Sequence, residues 1–391
     1  MSDSNRVALL GAPETSYGVL ASGAKYQDLR YVNENLVFST ESTFSDEVRS
    51  DRQVSDVVRN GISAGGPINV EMSYGTYDEF WLDVYQAAAW SSAVTPAAIA
   101  NVSWTVTGTA QITRPTGSFL TDGFAQGMWI QVTDGTNPGV YKIIAASALA
   151  LTVIGFTTPV VAGPESTTII GGSQIVNGTT FRSWSFEKQF LDIAKFQRLY
   201  GMTFNGASFE ATPQRIMRGT FDLVGKRGER PASTHGDGSP TAATTTTVMN
   251  SIDHLSAVMA DYYSGGLNAA APNTQFSAAI TNNMRARLQN STLGAAAVAA
   301  GRIEATGTFQ QYFLTETLLD QYEDFTPSSV AAVLTDAAGN IYVFDYPSVL
   351  FTVGDTVNPG VNGDVIAQME FSTRRHPVEL VTARMVRFPA A

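Results

Sequence analysis

The chain has 391 residues, room for two or three domains, with 44% hydrophobic but only 15% charged residues, 34 glycines and a formal net charge of -11. The acidic balance disfavours broad electrostatic capture of nucleic acid. The lack of cysteine excludes disulfides and thiolate metal sites, and no apolar run has the length of a membrane-spanning helix.

The first 30 residues hold Gly11, Pro13, Gly18 and Gly23 with little periodicity, and are expected to form an extended N-terminal arm whose apolar stretch is too short for a secretory signal. The β-branched and aromatic run 36–44 predicts a strand. Residues 45–66, charged, polar and ending in glycines, predict a long exposed loop. Next, Ile68, Val70, Met72 and Tyr74 alternate with Asn69, Glu71 and Ser73, the period of a sheet with one dry and one wet face. Asp78 is the expected N-cap of a helix over 79–90, whose apolar stripe Phe80, Trp81, Val84, Tyr85 and Ala88 reads as core packing.

Between Ser103 and Ile170 only Arg114, Asp122, Asp134, Lys142 and Glu165 are charged, and short strands alternate with turns; a small inserted all-β module is expected over 103–178. Strands resume over 181–190 and 196–227, and the Pro-, Gly-, Ser- and Thr-rich run from 227 onward predicts a linker over 227–260. The second half then repeats the first. The stretch GPINVEMSYGTYDEFWLDVY (66–85) is answered by GRIEATGTFQQYFLTETLLDQY (301–322), aligning Tyr74 with Phe309 and the two Leu-Asp-x-Tyr endings. Phe44 then falls with Phe276, the polar loop 45–66 with 281–300, and Phe221 with Phe371. The predicted organisation is an arm (1–30), a first lobe (31–102 and 179–226), the inserted module, the linker and a second lobe (261–391).

Four stretches in order, ETSYGVLASG, TFSDEVRSDRQVSDVVRNGISAGGPINVEMSYGTYDEFW, ITRPTGSFLTDGFAQGMWIQVT and GRIEATGTFQQYF, are similar to the pattern of tail tube proteins of long-tailed, non-contractile bacteriophages. The resemblance spans nearly the whole chain, although no single motif in it is as specific as a metal-ligand array. It implies a mainly β fold of two tandem sandwich or barrel lobes, each with a flanking helix, in a virion protein assembled in the host bacterial cytoplasm. It implies as partners further copies of the chain, in three-chain pseudo-hexameric rings stacked into a tube (six-chain rings are the second choice), with the tape measure, tail terminator and distal tail proteins. Genomic DNA would pass through without specific binding, and no membrane is involved. On the channel wall it would place Asn69, Glu71, Ser73, Thr220, Asp222, Glu304, Thr306, Thr308, Gln368 and Glu370. In ring-stacking loops it would place Asp46, Glu47, Arg49, Asp51, Arg52, Asp56, Arg59, Arg285 and Arg287. By sequence alone the same residues serve as well for the solvated surface of an ordinary sandwich.

No catalytic residue, cofactor or metal ligand is expected. His235, His254 and His376 are scattered, the glycine cluster 61–66 lacks the Lys-Ser/Thr of a phosphate loop, and Asp134-Gly135-Thr136-Asn137 reads as a hairpin turn rather than a calcium loop. Two alternatives stay open: a phage adhesin or capsid-associated β protein binding the host surface, and a β-rich glycan hydrolase with paired carboxylates.

Overall fold

The structure is a computed structural model describing residues 3–96, 98–106, 109–156, 159–235, 239–251, 255–260 (backbone only), 273–358 and 360–390. The fold is mainly β, and among the described residues no helix is long and apolar enough to cross a membrane. In the first half, strands β1 (Val7–Pro13), β2 (Val37–Phe44) and β3 (Val57–Glu71) precede helix α1 (Asp78–Val84) and strands β4 (Trp184–Phe190), β5 (Lys195–Ala211) and β6 (Arg218–Gly225). In the second half β7 (Asn273–Thr281) and β8 (Glu304–Tyr312) precede helix α2 (Thr317–Glu323) and strands β9 (Ser328–Thr335), β10 (Ile341–Val357), β11 (Ile366–Thr373) and β12 (Arg384–Phe388).

The two halves build one continuous antiparallel sheet. Its pairing runs β2–β3–β6–β5 through the first half, crosses at β5–β7, and continues β7–β8–β11–β10 through the second. Each half thus contributes a hairpin, a helix and three strands in the same order, and the second half adds β12. The central strands β5 and β10 both have 17 residues, and each is bulged against its neighbour, between Phe204 and Gly206 and between Phe351 and Val353. These bulges fix the internal alignment: Phe204 matches Phe351, Asp222 matches Glu370, and Ile68, opposite Phe221, matches Phe309, opposite Met369. Sequence matching put this alignment out of step by several residues. Tyr74 lies in the turn after β3, whereas Phe309 is a core residue inside β8, and Phe276 is matched by Glu34 rather than Phe44. The matching glycines and Leu-Asp-x-Tyr endings misled because the turns between strand and helix differ in length.

Apolar residues of this sheet, among them Ile68, Val70, Phe209, Phe276, Phe309 and Phe371, form one face of the main core. The N-terminal parts of β5 and β10 leave the sheet to pair with β4 and with β9 and β12, forming the opposite layer. Helix α1 is wedged between the layers at the seam of the two halves. Trp81 packs edge-on against Phe221 of the first half and Phe344 of the second, at centroid distances of 5.2 and 5.3 Å. The helix is shorter than predicted, and Asp78 begins it rather than capping it: its carboxylate accepts from the Tyr342 hydroxyl and the Arg387 guanidinium.

A seven-stranded sheet spanning residues 99–171 has its own core around Trp104, Phe119, Tyr141 and Leu151. It docks on the outer side of β9, β10 and β12, where Trp129, Val140 and Ile154 meet Val333, Val343, Val386 and Phe388. Four charges are sealed in this contact. Lys142 reaches Asp345 at 2.8 Å and Glu379 at 3.1 Å, and Arg384 reaches the same two carboxylates at 3.1 and 2.7 Å. Sequence reading, which noted Lys142 only as one of five charges between Ser103 and Ile170, could not foresee this pairing across the chain.

Two further segments differ from expectation. Residues 7–13 are not a free arm: β1 pairs along its length with β4, and Leu9 and Leu10 are buried. The expected linker is bound as a strap. Met249 is fully buried, its amide donating to the Met72 carbonyl, Thr76 and Thr244 share a 2.6 Å hydroxyl contact, and residues 255–260 pair with β9. Its polar composition hid this, because the strap is held mainly by hydrogen bonds rather than by an apolar periodicity.

Candidate assembly site: a polar concave face and two projecting hairpins

The face of the continuous sheet turned away from the core is polar and concave. Side chains alternate along each strand, so register alone places Asn69, Glu71, Thr220, Asp222, Glu304, Thr306, Thr308, Gln368 and Glu370 on it together. Its centre is a groove of about 600 Å³ lined by residues of both halves, including Glu210, Arg218, Thr220, Ser277, Thr308 and Glu370. Neighbouring strands are laced by cross-strand hydrogen bonds: Thr220 donates to Asn69 at 2.7 Å, and the Ser277 and Thr308 hydroxyls are 2.8 Å apart.

One row crosses the face from edge to edge, reading Glu71, Arg218, Glu210, Ser277, Thr308, Glu370 and Val353. Sequence reasoning missed Glu210, Arg218 and Ser277, although the alternation Ser208-Phe209-Glu210 carried the signal. Arg218 places one cation among the carboxylates. Ser73 does not belong to the face. It is buried beneath the strap, its hydroxyl donating to Thr76 and its backbone bridging to Val248.

The carboxylates on this face differ in environment. Crowding by adjacent strands raises the Asp222 carboxyl above its ordinary value. The Arg302 guanidinium beside Glu304 lowers that carboxyl instead. Among the described residues, none of these groups is hydrogen-bonded to a histidine side chain. His376 lies in the turn under the docked module, its Nδ1 accepting from the Glu379 amide at 3.0 Å, and burial lowers its pKa. His235 stands near Glu187, to which its amide donates, and His254 lies outside the described residues.

The second feature is a pair of hairpins continuing out of this sheet. β3 begins at Val57, so only residues 45–56 of the expected 45–66 loop are irregular; the rest is strand, exposed on both faces over 57–60 and there without an apolar period. Gly66 stands near the base of the hairpin, still paired with Leu223 of β6. With φ +132°, it brings the Asn35 carbonyl oxygen within 2.0 Å of where a Cβ would stand, so only glycine fits. Asp46, Glu47, Arg49, Asp51, Arg52 and Asp56 occupy the exposed turn and Arg59 the adjoining strand, with one exposed ion pair, Arg49–Asp51, at 2.8 Å. Phe44, Val48 and Val54 are also exposed there, an apolar component that sequence reasoning passed over.

In the second half Arg285 and Arg287 lie on a short exposed strand paired with Ala297–Ala299. Its tip touches the first hairpin, the Ile62 amide donating to the Leu293 carbonyl at 2.9 Å, so the two hairpins lie side by side.

Comparison with known protein families matches residues 4–373 to the family described as phage tail tube protein. No curated protein matches the chain.

Proposed function

The chain belongs to the phage tail tube protein family and is a structural component of the virion, and from that premise we propose that three copies close into a ring whose concave polar faces line a continuous channel. Stacked rings would form the tube. The observation that carries this reading is the in-chain duplication: two matched four-strand units already joined edge to edge, with a polar groove across the join. Each chain then fills two of six equivalent positions. Closing such a sheet removes the unpaired edges that otherwise invite uncontrolled association.

The inner wall would consist of the polar residues of the concave face. Duplex DNA carries one negative charge per ~1.7 Å of axis, and a wall rich in carboxylates and hydroxyls repels phosphates, so DNA and an elongated tape measure protein slide without adhering. The wall needs no catalytic group. The two hairpins would reach the next ring, their mixed charges setting register and the apolar residues Phe44, Val48 and Val54 adding contact area. Terminator and distal tail proteins would meet the same surfaces at the two tube ends. The module lies on the layer opposite the concave face, and in such a ring it would stand on the outside of the tube.

Negative-stain microscopy of the purified protein at rising concentration tests the reading. Hollow tubes or rings are expected. A chain that remains monomeric at every concentration contradicts it, and glycan cleavage by the same preparation would favour the hydrolase instead.

A further inference from the structure

The seam between the two halves is a template for the contact between two chains. At that seam β5 meets β7 with Gly206 opposite Thr281, Ala207 opposite Ile280, Ser208 opposite Ala279 and Phe209 opposite Ala278. The bulges match Gly206 to Val353, so β10 is the second-half counterpart of β5. Opposite β3, residues 34–39 hold the positions that β7 holds opposite β8: Val37 pairs with Gly65 as Ala279 pairs with Thr306. Among the described residues, nothing pairs with the outer edge of β10 beyond Val353, nor with the outer edge of residues 34–39.

We propose that these two edges pair with each other between copies of the chain, residues 353–357 of one running antiparallel to residues 35–39 of the next. The internal seam then gives the register: Val353 opposite Ser39, Asp355 opposite Val37, Thr356 opposite Leu36 and Val357 opposite Asn35. The proposal rests on the ring described above and adds its residue-level closure.

Three observations support it. First, both edges expose apolar side chains on the concave face, Val37 at 51%, Val353 at 38% and Val357 at 43%, which an adjoining strand would cover. Second, α1 is covered by the second half and buries six of its seven residues, but its counterpart α2 buries only Leu318, and the flanking Leu314 and Phe325 are exposed at 63% and 65%. That is the state expected of a seam helix whose covering half belongs to another chain.

Third, the backbone is capped in a telling way. The Asn35 amide donates inward to the Pro67 carbonyl, so that of Leu36 turns outward, where the Glu34 carboxylate accepts from it at 2.8 Å. The Thr356 amide is likewise satisfied by the Asp355 carboxylate at 2.7 Å. Local side-chain caps occupy the two amides that this register would bond to the opposing strand. Because the two edges differ, the contact is head-to-tail, the kind that closes rings.

The chain has no cysteine, so paired cysteines read the register directly. In tubes assembled under reducing conditions and then oxidised, Val37→Cys with Asp355→Cys should give covalent dimers and trimers, the ladder ending at three. The opposed positions form a non-hydrogen-bonded pair, with Cα atoms ~4.5 Å apart and within disulfide reach. The slipped pair, Val37→Cys with Val353→Cys, should give little. Stronger crosslinking of the slipped pair, or none from either pair in tubes visible by microscopy, overturns the register and leaves the ring standing. If the unmodified chain forms no tubes, the ring itself fails and the register with it. Hydrogen exchange on the unmodified chain gives a second reading: assembly should protect the Leu36 and Thr356 amides, and unchanged exchange at both overturns the pairing.

Discussion

Replacing Asp345 with Asn should unfasten the module from the second half. Asp345 is wholly buried, and its Oδ2 is shared by Lys142 at 2.8 Å and Arg384 at 3.1 Å, in a cluster of two cations and two carboxylates. The substitution leaves Glu379 alone against both cations in a dry contact. Breaking a buried ion pair by removing one member costs about 3–5 kcal/mol. Burial already lowers the pKa of Lys142, so this lysine can shed its proton in the variant, which places the loss toward the lower end of that range. Urea unfolding measures the total loss, and hydrogen exchange localises it, with Gly139–Ala146 expected to open before the main core. The double variant Lys142→Met with Asp345→Leu keeps the Glu379–Arg384 pair and should recover most of the stability, since apolar replacement of a buried pair is often neutral or stabilising. A single Asp345→Asn variant within about 1 kcal/mol of the parent would show that water reaches this cluster, and the docking described here would be wrong.

Phe209→Ala should cost about 3–5 kcal/mol, because the ring is buried at the seam, 4.2 Å from Phe344 and 5.6 Å from Phe276 between centroids; thermal unfolding of the chain before assembly checks it. Replacing residues 45–56 with an Asn-Gly turn should leave that unfolding unchanged, since the segment is exposed, but should halt assembly at isolated rings in the electron microscope. Glu71→Lys with Glu304→Lys should leave tube formation intact, because both side chains lie outside the core, and should slow DNA release from phage carrying the variant. Normal release would remove the charge argument for the wall.

What the sequence disclosed follows from where apolar residues stand. The alternation Ile68, Val70, Met72 identified a half-wet strand, and the same reading applied to 216–223, 303–309 and 365–372 found the strands whose polar sides share the concave face. The outer half of the first hairpin was invisible because both its faces meet water, which leaves no period to read. Ser73 continued the alternation of β3 faultlessly yet is covered by the strap, whose Thr-rich composition resembles a free linker. The duplication was legible as an order of elements but not as a register, because the bulges after Phe204 and Phe351 that set it are backbone features. Residues such as Lys142 and Asp345 gave no local signal, since their meaning depends on a partner some two hundred positions away.

In the proposed tube the chain is a ready-made third of a ring, with its concave polar face turned inward. A density map of the assembled tube tests it most directly. Three chains per ring are expected, with six near-equivalent wall units around an open channel lined by Asn69, Thr220, Thr308 and Glu370, and the module on the outside. Six chains per ring, or a concave face turned to the exterior, would contradict it.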